Sequence, residues 1–253
     1  MKTIVIDAGH GGKDNGATGN GLKEKDVNLS IALKLGKLLS SVGAKVIYTR
    51  TTDVFIELSE RANIANRVNA DVFISIHANA HNGSSNGVEV FSFPGSKGGM
   101  ELSKDVLSQL VSDGIFKINR GNKTANFAVL RRTKMTSILT ETGFIDHKGD
   151  AEIIRNKQSE IANSIYKGVV KYLGIKTSTP PKVNKPNNTV SSEVKNGKIR
   201  INVNGRSQEV TGAILKGVSY IYIGEVLIPV REAYESLGLN VDWNEEKKTI
   251  IIK

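Results

Sequence analysis

Two hydrophobic rhythms alternate along the first 174 residues. Residues 3–6 form a short apolar run that ends at Asp7 and reads as a first strand. Beyond Asp26, apolar side chains fall at Val27, Ile31, Leu35, Leu38 and Val42, three or four apart, which predicts a helix with one buried face. Asp26 is placed to cap that helix and Gly43 to stop it. Residues 44–49 read as a strand, and residues 56–68 as a helix carried by Leu58, Ala62, Ala65 and Val68. Residues 71–77 (DVFISIH) and 87–93 read as two further strands, and residues 102–111 as a helix. Short strands are expected at 128–130 and 137–141, and a last helix near 157–173. This strand–helix alternation predicts an α/β domain, a largely parallel twisted sheet flanked by helices.

The rhythm breaks at Lys176, where KTSTPPKVNKPNNTVSSEVKN carries three of the five prolines among many Ser, Thr and Asn. That composition reads as a linker, partly extended by Pro180-Pro181. Beyond it, Ile199, Ile201 and Val203 alternate up to Asn204-Gly205, a strong hairpin signal. Pro229 stands at the start of an expected helix, VREAYESLG, and a second hairpin is expected around residues 244–247. The expected organisation is therefore an α/β domain at 1–174, a linker at 175–195 and a second small β-rich α+β domain at 196–253.

Composition narrows the chemistry. The 253 residues are 39% apolar and 24% charged, as in ordinary globular chains, and suffice for one domain plus something smaller. The absence of cysteine excludes disulfides and thiol catalysis, so a metal site would be built from His and carboxylates. The net charge of +10 is spread along the chain, with no dense Lys/Arg block and little aromatic interleaving. Solubility explains it better than nucleic-acid binding. Met1 runs straight into the first strand, so no signal peptide and synthesis in the cytoplasm are expected. No apolar stretch approaches the roughly 20 residues of a transmembrane segment.

Of the four histidines, His10 follows the first strand in DAGHGG and His77 ends the DVFISIH strand, while Glu141 ends SILTE. In a parallel sheet all three emerge along the carboxyl edge, where open α/β sheets place their sites. Glu24 lies in a polar stretch, expected to be a loop free to fold back over that edge. Two imidazoles and a carboxylate form a catalytic zinc set with one position open for water. The expected ligands are His10, Glu24 and His77, with Glu141 as the base. His81 and His147 read as loop histidines. The glycines of DAGHGGKDNGATG lack both P-loop and GxGxxG spacing and serve instead to bend the backbone at His10.

Five segments, IVIDAGHGGKDNGATG, GLKEKDVNL, SERANIAN, DVFISIHANA and SILTETGFI, together resemble the zinc-dependent N-acetylmuramoyl-L-alanine amidases over about residues 1–174. The resemblance implies an α/β catalytic domain with a single zinc ion held by His10, Glu24 and His77, and Glu141 as the catalytic glutamate. It implies peptidoglycan as substrate, cut at the amide between N-acetylmuramic acid and L-alanine. Ala8 and Thr136 stand where the family usually has proline, away from the chemistry. Residues 79–88 are too short for the cleft-plugging insertion of some relatives, which implies an open site. Arg131 and Arg132, expected near the same sheet edge, either pair with stem-peptide carboxylates or are exposed solubilising charges. The tail, VNG followed by VLIPVREAYESLGLNVDWNEEKKTIII, is similar to the copper-amine-oxidase N-terminal-like module of secreted Gram-positive proteins. Copper chemistry is not implied, because residues 196–253 hold no His or Cys. A module that binds a secondary wall polymer or forms a homodimer is implied, with a stability or spacing role as the bland alternative. The combination fits a phage endolysin of a Gram-positive host, acting on the wall after release, with a host autolysin as the alternative. Rival classes are a non-enzymatic wall binder, a nucleic-acid binder and a zinc exopeptidase.

Overall fold

A computed structural model describes residues 1–175 throughout, and beyond them the backbone of six strands between Lys195 and Ile252. The chain divides into two compact units, Met1–Lys182 and Val183–Lys253.

The first unit runs β1 (Thr3–Ala8), the two-residue pair β2 (Thr18–Gly19) and β3 (Leu22–Lys23), α1 (Glu24–Ser41), β4 (Lys45–Tyr48), α2 (Leu58–Arg67), β5 (Val72–Asn79) and β6 (Val88–Ser92). It continues with α3 (Lys97–Ser112), β7 (Asn119–Thr124), α4 (Ala128–Arg132), β8 (Thr136–Phe144), α5 (Lys148–Asn156) and α6 (Gln158–Leu173). Six strands form one sheet in the order β4-β1-β5-β8-β6-β7. The first four are mutually parallel, whereas β6 runs antiparallel to β8 and carries β7 parallel to itself. The sheet is thus largely parallel, and the carboxyl ends of β1, β5 and β8 share one edge with the amino ends of β6 and β7.

Strand alternation builds two cores. Ile4, Ile6, Ile74, Ile76 and Ile138 face α1, α3 and α6, burying against Ile31, Leu35, Val106 and Ile165. Val5, Phe73 and Leu139 face the other way and pack on Ala65 of α2 and Val129 and Leu130 of α4. Both faces of β1 and β5 are buried, so these strands read as nearly continuous apolar runs. The second face is covered by short helices, 10 residues in α2 and 5 in α4 against 18 in α1. Farther along the strands its rows turn polar: Asp7 follows Val5, Ser75 and His77 follow Phe73, and Glu141 follows Leu139.

The structure corrects several expectations. Residues 128–132 are the helix α4, not a strand, since a short apolar triplet serves either period. α1 begins at Glu24, so Glu24 is a first-turn helical residue and not part of a loop. His147 does lie in a loop, the bend before α5, and caps that helix, its Nδ1 accepting from the Asp150 backbone N–H at 3.2 Å. Polar β7 and short α5 carry no apolar pattern long enough to predict.

In the second unit, β9 (Lys195–Val203), β10 (Arg206–Leu215), β11 (Val218–Ile223), β12 (Val226–Pro229), β13 (Val241–Asn244) and β14 (Thr249–Ile252) form a sheet ordered β12-β11-β10-β9-β14-β13. β9 and β10 pair antiparallel with Val203 opposite Arg206, on either side of Asn204-Gly205. β13 and β14 pair likewise, as the second expected hairpin requires. The expected VREAYESLG helix and nearly all of the expected linker lie outside the described residues.

Candidate active site

Three of the four residues singled out in the sequence converge. One donor atom each from His10, Glu24 and His77 lies within 4.8 Å of the others. Glu24 stands between the imidazoles, its Oε2 3.1 Å from His10 Nε2 and its Oε1 2.9 Å from His77 Nδ1. The fourth, Glu141, is directly opposite His77 in the β5–β8 register. Paired residues of neighbouring strands project to the same face, so Glu141 flanks the cluster. Its Oε2 is buried with no hydrogen-bond partner among the described residues.

The surroundings fix each member. Glu24 is 3% exposed and accepts hydrogen bonds from the Ala17 N–H (2.8 Å), the Ala78 N–H (3.2 Å) and Asn28 Nδ2 (3.1 Å). His10 presents Nε2 to Glu24 while Asp14 Oδ2 holds its Nδ1 at 2.8 Å, an arrangement that fixes the orientation of the imidazole. Gly9 is required here because a Cβ would collide with the His77 ring. His10 itself has φ 61, a left-handed conformation that costs a non-glycine residue about 1–3 kcal/mol.

Two buried arginines hold that strained turn. Arg61, 1% exposed, donates through Nη1 to Asp7 Oδ1 (2.8 Å) and the Ala8 carbonyl (2.7 Å), and through Nη2 to the His10 carbonyl (2.8 Å). Arg50, 3% exposed, donates to the carbonyls of Ala8 (2.9 Å), Gly9 (2.8 Å) and Lys25 (2.8 Å). Thr49 and Ser75 hydroxyls complete Asp7 at 2.7 Å each. The penalty for burying such ions is several kcal/mol each, so the network is a poor way to gain stability and a good way to hold three successive carbonyls. Asp14, Asn28, Arg50, Arg61 and Asp7 all escaped the sequence reading. The i,i+4 spacing of His10 and Asp14 was the one signal available for any of them.

The charges are tightly coupled. Burial alone would lower the His10 pKa, but hydrogen bonding and charge from Glu24, then Asp14, push it up to about 9. His77 is likewise raised: Glu24 outweighs the effect of burial. Burial would raise Glu24, but the two imidazoles hold its carboxyl well below the usual carboxylate range. Glu141 behaves oppositely. Burial pushes it up to about 7, against the pull of His77 and reinforced by the charges of Glu24 and Glu89. Two imidazoles and one carboxylate with convergent donors suit a divalent cation such as zinc, with one coordination position left open. A carboxylate with one buried, unpartnered oxygen flanking that cluster suits proton transfer.

Comparison with known proteins decides the family. Residues 4–171 match the N-acetylmuramoyl-L-alanine amidase family profile. The chain belongs to this family. It is 41% identical over 170 residues to the N-acetylmuramoyl-L-alanine amidase CwlM of Bacillus licheniformis, covering 66% of each chain. It is 38% identical over 199 residues to the endolysin of Bacillus phage SPP1, covering 73% of this chain and 72% of the endolysin. The chain thus spans about two thirds of the length of these relatives. A solved N-acetylmuramoyl-L-alanine amidase from Clostridium difficile 630 superposes with a TM-score of 0.67 at 38% identity, covering 69% of this chain and 98% of that one. Residues 213–253 match the copper amine oxidase N-terminal domain family.

Other expectations sort out plainly. His81 is exposed and lies outside the cluster. The connection between β5 and β6 contains no helix. Arg131 and Arg132 end α4 just before β8 begins, and the Arg132 carbonyl accepts from Asn66 near the end of α2. They lie at the amino edge of the sheet, the opposite end of β8 from Glu141, and the sequence expectation of a shared edge is corrected. Among the described residues, no helix is long and apolar enough to cross a membrane.

Proposed function

We propose that this member of the amidase family is a zinc-dependent peptidoglycan hydrolase. It cleaves the amide between the lactyl group of N-acetylmuramic acid and the L-alanine of the stem peptide. The observation that carries this reading is the convergence of His10, Glu24 and His77 beside the unpartnered oxygen of Glu141. His10, Glu24 and His77 are the ligands and Glu141 is the acid–base residue. When bound, zinc supplies a Lewis acid that lowers the pKa of water and polarises a carbonyl.

The residues divide the remaining work. Glu141 accepts a proton from the attacking water as the carbon–oxygen bond forms at the lactyl carbonyl. It returns that proton to the nitrogen as the carbon–nitrogen bond breaks, releasing the stem peptide with a free α-amino group. In the metal-free protein burial already raises the Glu141 carboxyl, the direction that favours a base able to take and give a proton. Asp14 keeps His10 turned toward Glu24, and Arg50 and Arg61 hold the turn that presents it. We assign this chemistry to residues 1–174, tethered through 175–195 to a wall-binding module at 196–253. Like the phage endolysin it is similar to, the protein would meet its substrate once released to the wall.

The test is digestion of purified Gram-positive peptidoglycan with and without chelator, followed by mass spectrometry of the soluble products. Chelator-sensitive release of intact stem peptides with free N-terminal L-alanine is expected, with the sugar strands uncut. Release of single amino acids would instead indicate an exopeptidase, and release of sugar fragments a glycosidase.

A further inference from the structure

The edge strand β7 (NRGNKT) is polar throughout, and its irregularity has chemical consequences. Val88 pairs with Asn119 but Val90 pairs with Asn122, so β7 carries one extra residue opposite Glu89. Gly121, at φ 96, sits in that bulge. In a regular strand Arg120 and Lys123, an odd number apart, would face opposite sides of the sheet. The bulge turns both toward Glu89. Arg120 Nε donates to Glu89 Oε2 at 3.0 Å, and Lys123 Nζ donates to the same oxygen. Asn79 Nδ2 occupies the other oxygen at 2.8 Å, and Glu89 is 4% exposed. Glu89 stands directly opposite Glu141 on the neighbouring strand.

The result is two cations on one carboxylate, a surplus positive charge one strand away from the catalytic glutamate. The Arg120 and Lys123 side chains remain 32% and 40% exposed. The Arg120 guanidinium lies 4.7 Å from the centre of the Phe144 ring, which steadies it without using its donors. Asn79 and Arg120 already partner both oxygens of the buried Glu89 carboxylate, so its burial does not by itself require a second, half-exposed cation. A lysine on an edge strand deters edge-to-edge pairing, but that role does not require turning both cations to one face.

We infer that Arg120 and Lys123 form a subsite for a free carboxylate of the stem peptide. The inference rests on the amidase reading and adds a direction to it. Once the lactyl carboxyl is consumed in the amide, the muramic acid side of the scissile bond has no carboxylate nearby, whereas the peptide side does. The stem peptide therefore extends over β6 and β7, and the sugar strand lies toward β1.

The test uses N-acetylmuramoyl tripeptides in which the carboxylate of the second residue is free or carboxamide, and the C-terminal carboxylate is independently free or blocked. The readout is the ratio of kcat/KM between the free and amidated forms for each position. A charge-assisted hydrogen bond predicts a wild-type preference of about 10- to 100-fold for the free form at one position, chiefly through KM. Arg120→Gln and Lys123→Gln should each shrink that ratio, the double variant should bring it near one, and Lys123→Arg should retain it. Because both substrates meet the same preparation, partial misfolding cancels from the ratio. A wild-type ratio near one at both positions, or a ratio that survives in the double variant, overturns the subsite and leaves the amidase reading standing. Failure of the wild type to release any stem peptide from either muropeptides or whole peptidoglycan overturns the amidase reading and the subsite together.

Discussion

Two pairs of cations flank the same row of side chains, and they are built in opposite ways. On the β1 side, Arg50 and Arg61 are almost wholly buried and spend their donors on backbone carbonyls and Asp7. On the β7 side, Arg120 and Lys123 are part-exposed and share one oxygen of Glu89. A buried guanidinium whose fork is filled by carbonyls can only hold the chain still. A half-exposed one with donors to spare can meet something that arrives. The site is therefore rigid where it presents its metal-ligand candidates and adaptable on the opposite side.

Glu141 lies between the two pairs, and its removal has the largest expected effect. Glu141→Gln should lower turnover by about 10²–10⁴-fold on peptidoglycan, as expected for loss of a general acid–base. Metal content, read by atomic absorption, should stay at one equivalent, because the donors of His10, Glu24 and His77 are untouched. Near-normal lysis by this variant would remove Glu141 from the chemistry.

The next prediction sets the two cation pairs against each other directly. Arg61→Met leaves Asp7 buried without its partner and releases the Ala8 and His10 carbonyls, and should cost about 3–5 kcal/mol in denaturant titration. Lys123→Gln should cost no more than about 1 kcal/mol in the same titration. Arg61→Met should also weaken zinc binding in a chelator competition, since the strained φ of His10 then lacks its brace. Arg61→Lys should restore little of either, because a single ammonium cannot reproduce the fork. Equal destabilisation by the Arg61 and Lys123 variants would erase the distinction between holding and receiving.

The distinction also has a pH signature. His10, raised to about 9 without metal, carries a proton at neutral pH that a metal must displace. Zinc affinity should rise about tenfold per pH unit between pH 7 and 9 for each proton displaced, with proton release visible by calorimetry in buffers of different ionisation enthalpy. In the metal-free protein the stabilisation due to His10 is fully present below its unfolded value of 6.5 and is lost as pH rises through 9. Thermal melts of metal-free protein across that window should fall. A pH-independent zinc affinity would mean that His10 carries no proton in the metal-free protein or is not a ligand.

These residues differ in how legible they were. His10, His77 and Glu141 could be found because each stands just past or in the carboxyl-terminal half of an apolar strand, and parallel strands bring such positions to one edge. Glu24 was found by its residue type, but its setting was misread. KEKD has the look of a solvated run, and only the fold shows Glu24 entering α1 beneath two imidazoles. Arg50 and Arg61 were invisible because their partners are carbonyls, which every residue has. β7 was invisible because NRGNKT carries no period, and with it went the bulge that aims Arg120 and Lys123. Apolar spacing reports where a chain is buried; it does not report which polar atoms that burial brings together.

The smallest expected effect falls on Arg131 and Arg132. Arg131 Nη1 donates to the carbonyl and the Oδ1 of Asn126 at 3.0 and 2.7 Å, and both arginines are exposed. They stand before the first residue of β8, with Glu141 five residues farther on, about 16 Å of extended chain at the usual strand rise. Arg131→Ala and Arg132→Ala should change stability by less than about 0.5 kcal/mol. They should also leave the carboxylate-to-carboxamide ratio as it is in the wild type, where Arg120→Gln and Lys123→Gln reduce it. A reduced ratio in Arg131→Ala would place the stem peptide along the length of β8 and not across β6 and β7.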